Sequence, residues 1–362
     1  MKTQVTIKDI AKALNISPST VSRALKDHPD ISQKTKDAVN KIAAELDYHP
    51  NTIAQSLRKS RSNTIGVVVP ELVHHFFASV ISGIEDIAYK AGYRVVICQT
   101  NEDVTREKIN ISALISSRVD GVLCSMTKET KEYSHFKSIQ NRNIPLIFFD
   151  RICNEIKADS VVVQDYEGAY EAVEHLIEQG CKRIAHFKGP DSLLITRQRL
   201  NGYYDAMRES HLQIDEDLII QADDRESARK AIYDLVKSEE PMPDGIFCVN
   251  DNVAVGAMMQ LREMGINVPR EVKIVGFEDD TTFTRLTDPQ ISSVFQPAFE
   301  MGQRATEMFL DELKRKEAHP EKILEPKTPR IEVLKTKVVV RGSSNEQVAQ
   351  QERARRNYLE NV

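Results

Sequence analysis

Between residues 65 and 277 the chain repeats one pattern, a short and near-continuous apolar run followed by a stretch with helical spacing. The first runs are Ile65-Gly66-Val67-Val68-Val69, Arg94-Val95-Val96-Ile97-Cys98, Gly121-Val122-Leu123-Cys124 and Leu146-Ile147-Phe148-Phe149. A strand with one wet face alternates apolar and polar residues. Runs without alternation need cover on both faces, the habit of parallel sheets with crossover helices. Helical stretches fill the gaps, for example Ala78 to Ala91. A second set, Arg183-Ile184-Ala185-His186-Phe187, Gly245-Ile246-Phe247-Cys248-Val249 and Val272-Lys273-Ile274-Val275-Gly276-Phe277, is separated by helices such as Asn252 to Met264. Two doubly wound α/β lobes are implied, with a ligand cleft expected between them at the carboxyl ends of the strands.

The strand ends carry groups suited to such a cleft. Phe76 and Phe77 follow the first strand and Asp150 and Arg151 the fourth. Arg199 lies in the helix after Gly189-Pro190, Asn250 and Asp251 follow one second-lobe strand, and Glu278 and Asp279 another. Carboxylates and an arginine around an apolar wall suit a polyhydroxylated ligand, because a charged group can bond several hydroxyls. Each residue also admits a plainer role as a cap, an interlobe salt bridge or core packing.

The first sixty residues follow another logic and predict an all-α helix-turn-helix head. Thr6 can cap a short helix ending at Leu14, with Asp9 three positions on as a short capping box. Asn15-Ile16 breaks it, and Ser17-Pro18 supplies the next start, because Ser17 can accept from exposed amides and Pro18 has no N–H to lose. Two short helices, the second Pro18 to Leu25, joined by so tight a turn and sharing Ile10, Leu14, Ile16, Val21 and Leu25, match a helix-turn-helix. On the second helix Ser19, Thr20 and Arg23 can reach base edges, and an arginine there can donate two bonds to guanine, worth about 1–3 kcal/mol of discrimination. Thr6, Ser17 and Ser22 are candidates for DNA-backbone contacts or helix N-termini. Taken singly, Ser19 and Thr20 also suit a helix start, and Arg23 a solvated surface. Ser32 can cap a third helix, Gln33 to Leu46, whose Val39, Ile42, Ala43 and Leu46 would cover the first two. Pro50 stops the unit. Asn51 to Arg58 is too short to be a stable helix alone, and the basic linker Lys59-Ser60-Arg61-Ser62-Asn63 follows it.

Four motifs in this order, Val5-Thr6-Ile7-Lys8-Asp9-Ile10-Ala11, Ser19-Thr20-Val21-Ser22-Arg23, Leu46-Asp47-Tyr48-His49-Pro50-Asn51 and Ala54-Gln55-Ser56-Leu57, closely resemble the lac/gal repressor family of bacterial transcription factors. The resemblance extends over residues 4 to 343 and implies lobes of the periplasmic-binding-protein type. Its boundaries are a head at 1–50, a hinge helix and linker at 51–63, an effector-binding and dimerisation body at 64–343 and a tail at 344–362. It implies a homodimer on a pseudo-palindromic double-stranded DNA operator, with a small sugar-like effector controlling the hinge helices. The hinge contacts it implies are Asn51, Ala54, Leu57 and Arg58, with Leu57 as a minor-groove wedge, a device that unstacks and kinks DNA. Arg199 matches the family's effector arginine, Phe76 and Phe77 its wall after the first strand, and Glu278 an acidic position where aspartate is usual. Asp165 stands near another acidic contact, in a looser register.

Composition agrees with this division. Residues 1–64 hold eleven Lys or Arg against six Asp or Glu, a balance of +5, so the rest carries −10 of the overall −5. A basic end suits phosphate contacts, and an acidic body limits unproductive adhesion to nucleic acid. The five cysteines are far apart with no metal-like pairing and are expected to be reduced and mostly buried. No apolar run has the length of a membrane span and the chain opens on the head, so a cytoplasmic protein with no membrane partner is expected. No cofactor or metal is expected. His74-His75 is not a metal spacing, no Gly-rich phosphate loop follows the first strand, and no nucleophile stands in a recognisable context, which disfavours an enzyme. A cytoplasmic sugar-binding protein without a DNA role would account for the body and leave the head without a use. In the tail, Val348, Tyr358 and Leu359 are too sparse for heptads, and a solvated or frayed helix is expected.

Overall fold

The computed structural model describes residues 5–48, 61–73, 75–319 and 328–360, in two compact units, Met1–Asn63 and Thr64–Val362. The hinge candidates Asn51, Ala54, Leu57 and Arg58 lie outside the described residues.

The first unit holds α1 (Ile7–Leu14), α2 (Pro18–Ala24) and α3 (Gln33–Glu45). The Thr6 amide and hydroxyl both donate to Asp9 Oδ2 at 2.7 Å, and those bonds hold the Asp9 carboxyl below its ordinary range. Helix α1 ends at Asn15 in the left-handed conformation (φ 50°), which asparagine tolerates better than most residues. Ser17 Oγ caps α2 by accepting from the Thr20 amide at 3.0 Å, and Ser32 Oγ caps α3 by accepting from Thr35 at 3.3 Å. Ile10, Ala11, Val21, Ala24, Val39 and Ala43 make the core, with Leu14, Ile16, Leu25 and Ile42 packed half-buried around it. The alanines let the helices approach closely, so the larger side chains need only rim the contact.

The second unit is two sheets. The first-lobe sheet has the order β11-β5-β4-β3-β1-β2, built from β1 (Thr64–Val69), β2 (Arg94–Gln99), β3 (Gly121–Cys124), β4 (Leu146–Phe149), β5 (Asp159–Val163) and β11 (Ile331–Leu334). The second-lobe sheet runs β12-β10-β9-β8-β6-β7, from β6 (Ile184–Lys188), β7 (Ile219–Gln221), β8 (Gly245–Cys248), β9 (Lys273–Glu278), β10 (Ser292–Phe295) and β12 (Lys337–Val339). All pairings are parallel except β10 with β12. The quoted apolar runs supply β1, β3, β4, β6, β8 and β9 inside the sheets and β2 at the edge of the first. Helices α4 (His75–Lys90) and α12 (Ala298–Ala318) cover one face of the first sheet, and α5 (Val104–Ser116) and α6 (Ser134–Gln140) the other. Helices α7 (Asp165–Glu178) and α8 (Leu194–Glu209) cover one face of the second sheet, and α9 (Arg225–Lys237) and α10 (Asp251–Glu263) the other. Helices α4 and α12 touch backbone to backbone at Gly83 and Gly302, where any Cβ would strike the carbonyl oxygens of Phe299 and Val80.

The chain passes between lobes three times, after β5, after β10 and between β11 and β12. Three crossings let the lobes rotate about a common seam while each keeps its own core. Short α11 (Thr281–Thr284) follows β9, and α13 (Glu346–Glu360) ends the chain. The five cysteines are unpaired, four of them buried and Cys98 half-buried. Among the described residues no helix is long and apolar enough to cross a membrane.

Candidate functional site: reader helix and interlobe cleft

On α2 the buried residues are Val21 and Ala24, which turns Ser19 and Arg23 outward and leaves Thr20 and Ser22 half-exposed. Thr20 and Ser17 share a hydroxyl–hydroxyl bond of 2.8 Å. Thr20 is thus partly spent on the helix start, and Arg23 is the outward group with the longest reach.

In the body a cleft of about 220 Å³ opens between the two sheets at the carboxyl ends of their strands. That space is below the roughly 300–1,000 Å³ of pockets for drug-sized ligands and suits one small ring. Of the sequence candidates, Phe76, Phe77, Asp150, Arg199, Asn250 and Glu278 line it together. Phe76 and Phe77 meet edge to face, ring centroids 5.2 Å apart. Arg199 enters from the second lobe, 4% exposed, with its guanidinium carbon 3.6 Å from the Phe277 ring centroid. Its Nε and Nη2 donate to Asp165 Oδ1 at 2.8 and 2.7 Å and its Nη1 to the Val249 carbonyl at 2.5 Å.

Asp165 and Asp251 stand behind the lining. Asp165 fixes Arg199; burial pushes its carboxyl up in spite of that partner. Asp251 accepts from the Asp280 amide at 2.7 Å and Ser293 Oγ at 2.5 Å, and burial lifts its pKa to about 7. Asp150 accepts from Ser125 Oγ at 3.3 Å, and burial lifts its pKa to about 6 although Arg151 opposes this. Asn250 Oδ1 caps α10 through the Val253 amide at 2.9 Å, so its plainer role coexists with a place in the cleft. Glu278 Oε1 accepts from the Phe76 amide at 2.9 Å, across the cleft, and burial among Asp251, Asp280 and Asp150 pushes its carboxyl well up.

Sequence reasoning missed the cleft mouth. Lys128 Nζ donates to Asp223 at 2.7 Å, its carbonyl accepts from Ser192 Oγ at 2.7 Å, and its amide donates to Glu102, which also pairs with Arg151. Lys128 and Asp223 follow β3 and β7, so extending the strand-end rule to every strand would have found them. Gln296, at the second lobe crossing, was missed as well. Among the described residues one group of metal-ligand types, His75, Glu278 and Asp280, brings donor atoms within 4.8 Å of one another. Its Glu278 is bonded to Phe76 and its Asp280 to the Thr282 amide.

An aromatic wall, a clamped arginine and buried carboxyls around a small space can hold a hydroxylated ring by stacking and by bonds to its hydroxyls.

A family model described as bacterial regulatory proteins, lacI family, matches residues 6–51, and one described as periplasmic binding proteins and sugar binding domain of LacI family matches residues 62–336. The chain is 32% identical, over 86% of its length and 91% of the relative's, to a ribose operon repressor of Halalkalibacterium halodurans. The same identity and shares hold for the transcriptional repressor CytR of Escherichia coli strain K12. Among solved structures, the lac repressor dimer bound to operator and the anti-inducer ONPF superposes with a TM-score of 0.80 at 25% identity, covering 94% of this chain and 99% of that one. A CelR–cellobiose complex, described as a transcriptional regulator, gives 0.69 at 26% identity, covering 94% and 100%.

Proposed function

The chain belongs to the lacI family of bacterial regulatory proteins, and from that premise we propose that it is a cytoplasmic, ligand-responsive transcription repressor. It binds a pseudo-palindromic operator as a homodimer, and a sugar or sugar derivative in the interlobe cleft controls the hinge. The observation that carries this reading is the union, in one chain, of an outward Arg23 on a capped reader helix and a ring-sized cleft floored by Arg199.

At the operator Ser19, Thr20 and Arg23 read bases, Thr6, Ser17 and Ser22 serve the backbone or the helix starts, and Leu57, flanked by Asn51, Ala54 and Arg58, wedges the minor groove. In the cleft Arg199, Asp150, Asn250 and Glu278 bond the effector against Phe76 and Phe77. Asp165 and Asp251 act one layer behind, on Arg199 and on the Asp280 turn. The head extends to residue 50, the hinge to 63 and the body to 343. The lac repressor structure supports the DNA half of the reading and the cellobiose complex the sugar half.

The test has two arms. Gel shifts of the full chain against genomic fragments should give sequence-selective complexes that survive physiological salt, since non-specific binding fades steeply there. Arg23→Ala should relax selectivity about tenfold or more. Thermal shifts against free sugars, sugar phosphates and nucleosides should yield a ligand whose effect Arg199→Ala abolishes. Binding that vanishes at physiological salt sinks the regulator reading; a cleft that answers to no sugar sinks the effector class.

A further inference from the structure

The Glu278–Phe76 bond joins the two lobes directly. Glu278 is the last residue of β9 in the second lobe, and Phe76 is the second residue of α4 in the first. First-turn amides of a helix have no acceptor within the helix and seek one outside. Phe76 finds Glu278 Oε1 at 2.9 Å, 202 residues away in the chain. The positive end of α4 also favours a carboxylate at that place.

The length of the side chain decides whether this contact exists. The lac/gal resemblance leads one to expect aspartate at position 278. Aspartate is shorter by one methylene, about 1.5 Å, and from the same backbone its oxygen would stand roughly 4 Å from the Phe76 nitrogen, outside hydrogen-bond range. The backbone also spends energy to present this carboxyl. Glu278 has φ 129° and Asp279 φ 58°, both where a side chain is unfavourable. Asp279 is held there by Arg341, 2.7 Å away and 6% exposed. Lys128–Asp223 and Ser192–Lys128 also cross between the lobes, so the two sheets are tied at more than one place by the chain's own groups.

We propose that Glu278 is a latch, which ties the two lobes across the cleft by capping α4 of the other lobe. Its bearing on regulation rests on the reading of this cleft as the effector site. A ligand that inserts between Glu278 and Phe76 has to supply a donor to the carboxylate and an acceptor to the amide. One hydroxyl does both.

The experiment is residue-resolved amide hydrogen exchange on the full chain without ligand, for wild type, Glu278→Asp, Glu278→Gln and Glu278→Met. The Phe76 amide should be protected in wild type and exchange about tenfold faster or more in Glu278→Asp, as for loss of one hydrogen bond. Glu278→Gln keeps the length and an acceptor, and should stay near wild type. The amides of Ile84, in the middle of α4, and Ala88, in its last turn, should not change. An unprotected Phe76 in wild type, or equal rates in wild type and Glu278→Asp, overturns the latch. Should Glu278→Asp speed exchange along the whole of α4, the variant has unfolded and Glu278→Met, of matching length without the oxygen acceptor, decides: a rise confined to Phe76 supports the latch, and no rise overturns it. The measurement needs no effector, so an empty sugar screen would bear on the effector reading and leave this result standing.

Discussion

Arg199 keeps its charge in a nearly dry place because Asp165, 2% exposed, is bonded to it twice over. Removing one member of a buried pair strands the other, at about 3–5 kcal/mol. For a body of this size that is on the order of 10 °C in melting temperature. Arg199→Ala should therefore lose its ligand response and melt lower even without ligand. Adding Asp165→Asn should recover much of the melting temperature and none of the response. A double variant that stays as unstable as the single one would mean that Asp165 does not depend on Arg199. His186 contributes stability that acid removes. It stacks between Tyr203 and Phe247, its Nδ1 lies 3.1 Å from the Phe247 carbonyl, and burial lowers its pKa to about 4. The unfolded chain takes up a proton near pH 6.5 while the folded one resists until about 4. This stabilisation is whole above pH 6.5 and drains away as pH falls towards 4, by about 3 kcal/mol. His186→Phe should flatten that decline in melts between pH 4 and 7, and an unchanged slope would refute the assignment. Arg199, Phe76 and Glu278 were legible because strand ends and the family pattern both point to them. Lys128 and Asp223 also follow strands, β3 and β7, in turns of ordinary composition.

At the scale of elements, α13 differs most from what periodicity offers. Apolar spacing sees Val348, Tyr358 and Leu359 and finds little to bury, yet the helix is anchored by polar groups. Both Glu352 oxygens accept backbone N–H bonds at 3.0 Å, from Gln290 and Gly342. Arg356 pairs with Asp288 at 2.9 Å, and Gly342 leaves no room for a Cβ beside Ala349 and Glu352. Glu352→Ala should cost about 2 kcal/mol, lower the melting temperature by a few degrees and speed amide exchange over residues 346–360. Arg355→Ala, with no bond to lose, should do neither; equal effects of the two would show that α13 docks by some other contact. Strands β1, β3, β4, β6, β8 and β9 were readable because burial on both faces leaves uninterrupted apolar runs, whereas inner β5 opens with Asp159-Ser160 and was not. Strands β7, β10, β11 and β12 were not readable. The first, third and fourth of these are short or alternating edge strands, and β10 opens with Ser292-Ser293, whose hydroxyls are satisfied by Arg341, Ser344 and Asp251 while Ser343 Oγ accepts from the Ser292 amide, contacts that only the tertiary fold supplies.

For the whole molecule, β2 raises a question that one chain does not answer. Its run Val95-Val96-Ile97 reads as a buried strand, yet β2 lies at the edge of the first sheet with Val96 and Ile97 each 44% exposed. Tyr89 at the end of α4 and Ile109 in α5 border the same edge, 77% and 61% exposed. An open apolar edge invites pairing with other chains unless something covers it. In the proposed dimer a second copy supplies that cover, and the unbroken apolar run then becomes consistent with burial. Dimerisation also sets DNA affinity, because two heads on one operator bind far more tightly than either alone. Val96→Glu combined with Ile109→Glu should turn a dimer into a monomer in sedimentation, with the ligand-induced melting shift retained because the cleft lies within one chain. The operator complex should weaken at least a hundredfold at physiological salt. If the double variant sediments as a dimer, the interface lies elsewhere. If it is monomeric yet keeps full operator affinity, the two-headed mode of binding is wrong.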